Sequence, residues 1–154
     1  MKREGFFWDM LDGRRPMGPS DQNLGWQLVQ VDPDKGWIRI QFDAKPEFIN
    51  PAGVIQGGYL SAMLDATMGP ALAATLDPGY NAPTIELKVN FIRPAKVGKM
   101  IAEANVVHKG RSICFTQGRI SDAEGHLIAT ATATQRIAPM NQPGGPASGA
   151  GEAK

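Results

Sequence analysis

The chain has 154 residues, 42% of them hydrophobic, and its 16 basic and 15 acidic side chains leave a formal charge of +1. That length suits one domain with a core of its own and is short for two, and the near-neutral balance excludes wrapping nucleic acid or coating an anionic membrane. The single Cys114 excludes an internal disulfide, and no Cys/His cluster has zinc spacing, so neither a structural metal nor a cofactor is expected.

The chain opens Met-Lys-Arg-Glu-Gly-Phe-Phe-Trp-Asp, too short an apolar run for a signal peptide, and no later stretch could span a bilayer. A soluble, cytoplasmic protein is expected. Residues 1–23 read as an N-terminal extension in which Phe6, Phe7 and Trp8 dock on the core and the rest is loop. Strands follow at Leu24 to Val31 and Trp37 to Phe42, joined by the turn Asp32-Pro33-Asp34-Lys35-Gly36. From 57 to 75, Leu60, Leu64, Met68, Leu72 and Thr75 recur near helical spacing and predict the one long helix, with a kink or break near Gly69 because Pro70 lacks a backbone donor.

Beyond it, Ile85, Leu87, Val89 and Phe91 alternate with Thr84, Glu86, Lys88 and Asn90, the period of a half-buried strand. Strands at Met100 to Val107, Ser112 to Ser121 and His126 to Ile137 complete the set, with hairpin turns at Lys109-Gly110 and Asp122 to Gly125. Residues 139–154 are rich in Pro, Gly and Ala without apolar period, the composition of a flexible tail. The folded domain is therefore 24–138, of α+β class: one antiparallel sheet wrapped around one apolar helix.

Asn50, the run Gly53-Val54-Ile55-Gln56-Gly57-Gly58, Asp65, the stretch Val89-Asn90-Phe91-Ile92-Arg93-Pro94-Ala95 and a last strand carrying Thr-Ala-Thr together resemble the hotdog-fold thioesterases of the phenylacetic-acid-degradation type, within the 4-hydroxybenzoyl-CoA thioesterase superfamily. The resemblance implies an acyl-CoA thioesterase with a hotdog fold. It makes Asp65 the base or nucleophile, the Gly57 N–H the group that polarises the thioester carbonyl, Asn50 an orienting group for the nucleophile, and Thr84 a positioner of water. Gln56 stands where the family has a histidine. Gly58 and Phe91 would contact substrate, and Arg93, Lys96, His108, Lys109 and Arg111 would meet the coenzyme A nucleotide. Coenzyme A enters as part of the substrate.

Elementary chemistry agrees with part of this. Thioester hydrolysis needs a base or nucleophile and donors aimed at the developing oxyanion; a glycine-bearing helix N-terminus offers free N–H groups and close approach. Asp65 would lie beside Ser61, Met68, Gly69 and Leu72, where desolvation raises a carboxyl's pKa. Gln56 can donate an amide N–H but cannot carry a proton, which disfavours hydroxyacyl dehydration. Asp65 and Gly57 are eight positions apart, about 12 Å along a helix, so one carbonyl can use both only if they come from two copies of the chain. A homodimer with shared sites is expected, and a tetramer as a dimer of dimers. The acyl group, aromatic or medium-chain aliphatic, would meet Tyr59, Met63, Met68 and Tyr80. Two other readings remain open: a non-catalytic acyl-thioester-binding protein, and another hotdog reaction on a thioester or carrier-protein substrate.

Overall fold

A computed structural model describes residues 3–140. In chain order the elements are α1 (Phe6–Leu11), α2 (Pro19–Leu24), β1 (Gln27–Asp32), β2 (Trp37–Ala44), a 3-10 turn at Pro46–Phe48, α3 (Gly57–Ala73), β3 (Tyr80–Asn81), β4 (Thr84–Phe91), β5 (Gly98–Lys109), β6 (Ile113–Asp122), β7 (Leu127–Arg136) and β8 (Ala138–Pro139). Six strands form one antiparallel sheet in the order β1-β2-β5-β6-β7-β4, which leaves β1 and β4 as its edges. The sheet wraps α3, giving the α+β architecture that the alternation and the one helical period require.

Small residues on the sheet answer large ones on the helix. The inner face of β5, β6 and β7 carries Ala102, Ala104, Gly118, Ala129, Ala131 and Ala133, and α3 lays Leu60, Met63, Leu64, Met68 and Leu72 into that trough. At Gly118 an added Cβ would stand 3.1 Å from the Met68 Cγ, so the close approach of helix to sheet depends on the missing side chain. Burial of each of these Leu and Met side chains contributes about 1.5–3 kcal/mol.

Four expectations need correction. Helix α3 runs unbroken through Gly69 and Pro70 to Ala73. Leu24 ends α2 instead of starting a strand; Gly25 terminates that helix at φ 66°, and β1 begins at Gln27. The segment before it is more than a docked cluster and a loop: Phe7 and Trp8 are buried, but on a helix, and a second helix follows. At the other end Pro139 and Met140 are held, through the β3–β8 pairing and the Met140 N–H that donates to the Gly79 carbonyl; the rest of the stretch read as a tail lies outside the described residues. No helix among the described residues is long and apolar enough to cross a membrane.

Candidate functional site

Asp65 sits half-buried on the face of α3 turned away from the trough. Its Oδ1 accepts a hydrogen bond of 2.8 Å from the Thr84 hydroxyl, while its Oδ2 has no partner among the described residues. Strict alternation along β4 would put Thr84 on the outer face with Glu86 and Lys88. A β-bulge between Thr84 and Glu86 prevents this: Glu86 pairs with Thr134 on the outer face, while Thr84 pairs with the buried Gln135 and turns toward α3. Ser61 takes no part, because its hydroxyl donates to the Gly57 carbonyl at 2.8 Å.

Beside Asp65 opens a cavity of about 420 Å³. Apolar wall comes from Phe6, Phe7, Met10, Trp26 and Pro70; Asp21, Asn81 and Thr84 add polar groups. Burial pushes the Asp21 carboxyl up. None of the expected wall residues is there. Met63 and Met68 are fully buried in the trough, Tyr59 stacks on Phe48 with ring centroids 3.9 Å apart, and Tyr80 is exposed on β3. Part of the wall comes instead from the N-terminal segment, through Phe6, Phe7 and Met10, where the aromatic run expected to dock on the core was the sequence signal.

The N-terminus of α3 is a different place in the same chain. Gln56 is its exposed N-cap without a side-chain cap bond, and Gly57 lines a second cavity, of about 330 Å³, with Val54, Leu60, Phe91 and Arg93. A Cβ at Gly57 would come within 2.9 Å of the Phe91 ring, whereas one at Gly58 would meet open space. The first-turn N–H groups of Gly57 and Gly58 have no intrahelical acceptor, and no side chain caps them. Asn50 uses its Oδ1 locally, accepting from the Ala52 N–H at 2.9 Å and the Val54 N–H at 3.3 Å; it shapes the loop before α3 and does not touch Asp65 of its own chain.

The candidate nucleotide contacts divide into two groups. Arg93 and Lys96 are exposed beyond the end of β4, on the Gly57 side, and Arg93 donates to the Leu127 carbonyl at 3.2 Å. His108, Lys109 and Arg111 are exposed on the β5–β6 hairpin at the other end of α3, where the Lys109 ammonium donates to the Thr75 carbonyl at 2.6 Å. A cation there complements the partial negative charge of the helix C-terminus. Within one chain the two groups stand roughly the length of α3 apart, about 25 Å for 17 residues.

A half-buried carboxylate with a hydroxyl on one oxygen, and an uncapped helix N-terminus elsewhere, fit acyl transfer, and the sequence profile of the thioesterase superfamily matches residues 52–129. The chain belongs to the thioesterase superfamily. A provisionally named esterase of Saccharolobus solfataricus is 33% identical to this thioesterase-superfamily chain over 101 residues, 66% of this chain and 71% of the relative. The crystal structure of a provisionally named thioesterase, a phenylacetic acid degradation-related protein from Ralstonia eutropha JMP134, superimposes with a TM-score of 0.83 at 36% identity, covering 86% of this chain and 99% of that one. A Streptococcus mutans protein bound to acetyl-CoA shares the fold with a TM-score of 0.68 at 21% identity, covering 76% of this chain and 91% of that one. The superfamily membership makes this the hotdog fold of the phenylacetic-acid-degradation type.

Proposed function

We propose that the protein hydrolyses acyl-CoA thioesters, with Asp65 of one subunit acting on a carbonyl held at the Gly57 end of its partner's α3. The observation that carries this is the pairing of Asp65 with Thr84 at the mouth of a largely apolar cavity. Thr84 occupies Oδ1 and fixes the carboxylate, which leaves Oδ2 to take the proton of an attacking water. The water oxygen bonds to the thioester carbon, the carbonyl oxygen gathers negative charge against the N–H groups of Gly57 and Gly58, and collapse expels the coenzyme A thiolate, which recovers the proton from Asp65. The Gln56 amide, exposed beside Gly57, adds a neutral donor. Only the chain's own residues and water take part.

Two further features support the two-subunit arrangement. Asp65 and Gly57 line separate cavities, the second walled by β4's terminal Phe91. Strand β4 ends the sheet with an unpaired edge, and its Ile85 and Phe91 are 59% and 55% exposed. Pairing β4 with a second copy would cover that edge. A cavity of about 420 Å³ lined by Phe6, Phe7 and Trp26 suits an aromatic or medium-chain acyl group.

Thiol release from a panel of aromatic and aliphatic acyl-CoAs, with Asp65→Ala beside the wild type, tests the reading. Turnover by the wild type should vanish in the variant, while binding of a non-hydrolysable acyl-CoA analogue persists. Hydrolysis that survives in purified Asp65→Ala would remove the mechanism, and a silent wild type that still binds the analogue would make the protein a carrier of acyl-CoA instead of an enzyme.

A further inference from the structure

Among the described residues two buried side-chain polar atoms have no hydrogen-bond partner, the Nε2 of Gln135 and the Oδ1 of Asn81. An unpaired buried donor or acceptor is costly unless something outside the chain satisfies it. Both atoms belong to the surroundings of Asp65. Asn81 is in the wall of the Asp65 cavity, and Gln135, with no exposed surface, is the cross-strand partner of Thr84.

The direction of the Gln135 amide is set by its other end. Its Oε1 accepts from the Thr116 hydroxyl at 3.2 Å, and its Nε2 reaches toward α3, 3.8 Å from where a Cβ on Gly69 would stand. Gly69 is one turn beyond Asp65 and lines the same cavity. A glycine inside a helix sacrifices stability relative to alanine. Gly69 has no positive φ and an added Cβ would make only ordinary contact, so packing does not demand glycine, although its missing Cβ also eases the helical backbone before Pro70. What glycine also does at this position is leave open the space of one methyl between a residue that lines the cavity and the buried amide.

We propose that Gln135 is a positioning residue of the Asp65 site, donating through the opening at Gly69 to a water in the cavity. On the thioesterase reading, on which its catalytic role rests, this is the water that Asp65 deprotonates. A donor on one lone pair of that water turns its protons toward the free Oδ2 of Asp65, and the remaining lone pair is left for the thioester carbon. Asn81 Oδ1 supplies an acceptor on the same wall.

Two variants and one structure test it. Gly69→Ala closes the opening, its helical gain offset by the Cβ placed before Pro70, and Gln135→Leu removes the donor but leaves the buried Thr116 hydroxyl without its acceptor, so both should fold with melting temperatures a few degrees from the wild type at most. The expected result is a kcat lowered about tenfold or more in each, with KM within about twofold, because the water is misplaced while the acyl-CoA contacts are intact. A crystal structure of the wild type should place a water within hydrogen-bond distance of Gln135 Nε2 and on the Asp65 side of Gly69, and Gly69→Ala should lose it. Wild-type kcat in both stable variants, or a dry site in the crystal, overturns the proposal. If the wild type itself releases no thiol from any acyl-CoA, the thioesterase reading falls, and the crystallographic water alone decides whether Gln135 holds one.

Discussion

Thr84 reaches Asp65 because one extra residue in β4 turns it inward, so its contribution is separable from that of the strand. Thr84→Ala should leave the melting temperature within a degree or two and lower kcat about tenfold, since a carboxylate without its 2.8 Å hydroxyl partner samples rotamers that do not face the water. Thr84→Ser keeps the oxygen and should recover most of the rate; equal loss in both variants would show that the methyl, not the hydroxyl, matters. On the outer face of the sheet, Glu103 is 14% exposed and bridges Arg39 and Arg119, whose Nε atoms donate at 2.7 and 2.8 Å. Burial alone would raise the Glu103 carboxyl, but the Arg119 and Arg39 guanidiniums hold it below the ordinary 4.5. A carboxyl depressed on folding stabilises above its unfolded pKa, and that contribution disappears as the pH falls through the folded value. Glu103→Gln should therefore cost about 1 kcal/mol at pH 7, after screening of the exposed arginines, and the gap to the wild type in thermal melts should close below pH 4. A gap that stays constant down to pH 3 would mean that shape, not charge, is what Glu103 supplies.

At the scale of elements, the continuity of α3 is the instructive case. Pro70 has no N–H, so the carbonyl of Ala66 four residues earlier has no intrahelical donor. The indole Nε1 of Trp26 donates to it at 2.9 Å, which keeps the turn closed and ties the start of β1 to the helix that carries Asp65. Trp26→Phe should destabilise by about 2 kcal/mol in denaturant titrations, and Pro70→Ala added to it should restore much of that by returning the helical donor. If the double variant is no better than Trp26→Phe, the indole's packing is the larger part. The expected break at Gly69 thus fails for a tertiary reason that no local pattern carries. The bounds of β4 could be read residue for residue from its alternation, and those of the other five strands of the large sheet to within two or three, because burial on one face imposes a period of two, whereas the two-residue β3 and β8 are too short to show one. The bulge at Ile85 leaves no such mark. Helices of six residues such as α1 and α2 are too short to show a period, and α3 is apolar or small nearly all round, so its sequence does not say which methionines face the sheet. For the candidate site, Asp65 stood out as a lone charge in an apolar run; the part of its cavity wall supplied by Phe6, Phe7 and Met10, more than fifty positions upstream, did not.

For the whole molecule the decisive question is whether one chain or two make a site, and stoichiometry can answer it. If the Gly57 of one subunit works with the Asp65 of the other, a dimer of Asp65→Ala chains has two dead sites, and so has a dimer of Gly57→Val chains, in which the new side chain drives into the Phe91 ring that a bare Cβ already approaches to 2.9 Å. Unfolding and refolding the two variants together in equal amounts gives half heterodimers. In each heterodimer one site takes Gly57 from the first chain and Asp65 from the second, both intact, while the other site takes both lesions. One site in four is then whole, and the mixture should recover about a quarter of wild-type thiol release, with a KM equal to that of the wild type because the surviving site is unaltered. A site contained in a single chain predicts the opposite: every chain carries one lesion, and mixing restores nothing. The same experiment reads the role of β4. Placing a proline at Val89, where the strand faces the helix side and pairs only with β7, should weaken the fold, whereas Ile85→Lys on the bulged, exposed edge should spare the monomer and prevent the recovery on mixing. Recovery that survives Ile85→Lys would place the subunit contact elsewhere and leave the shared site standing.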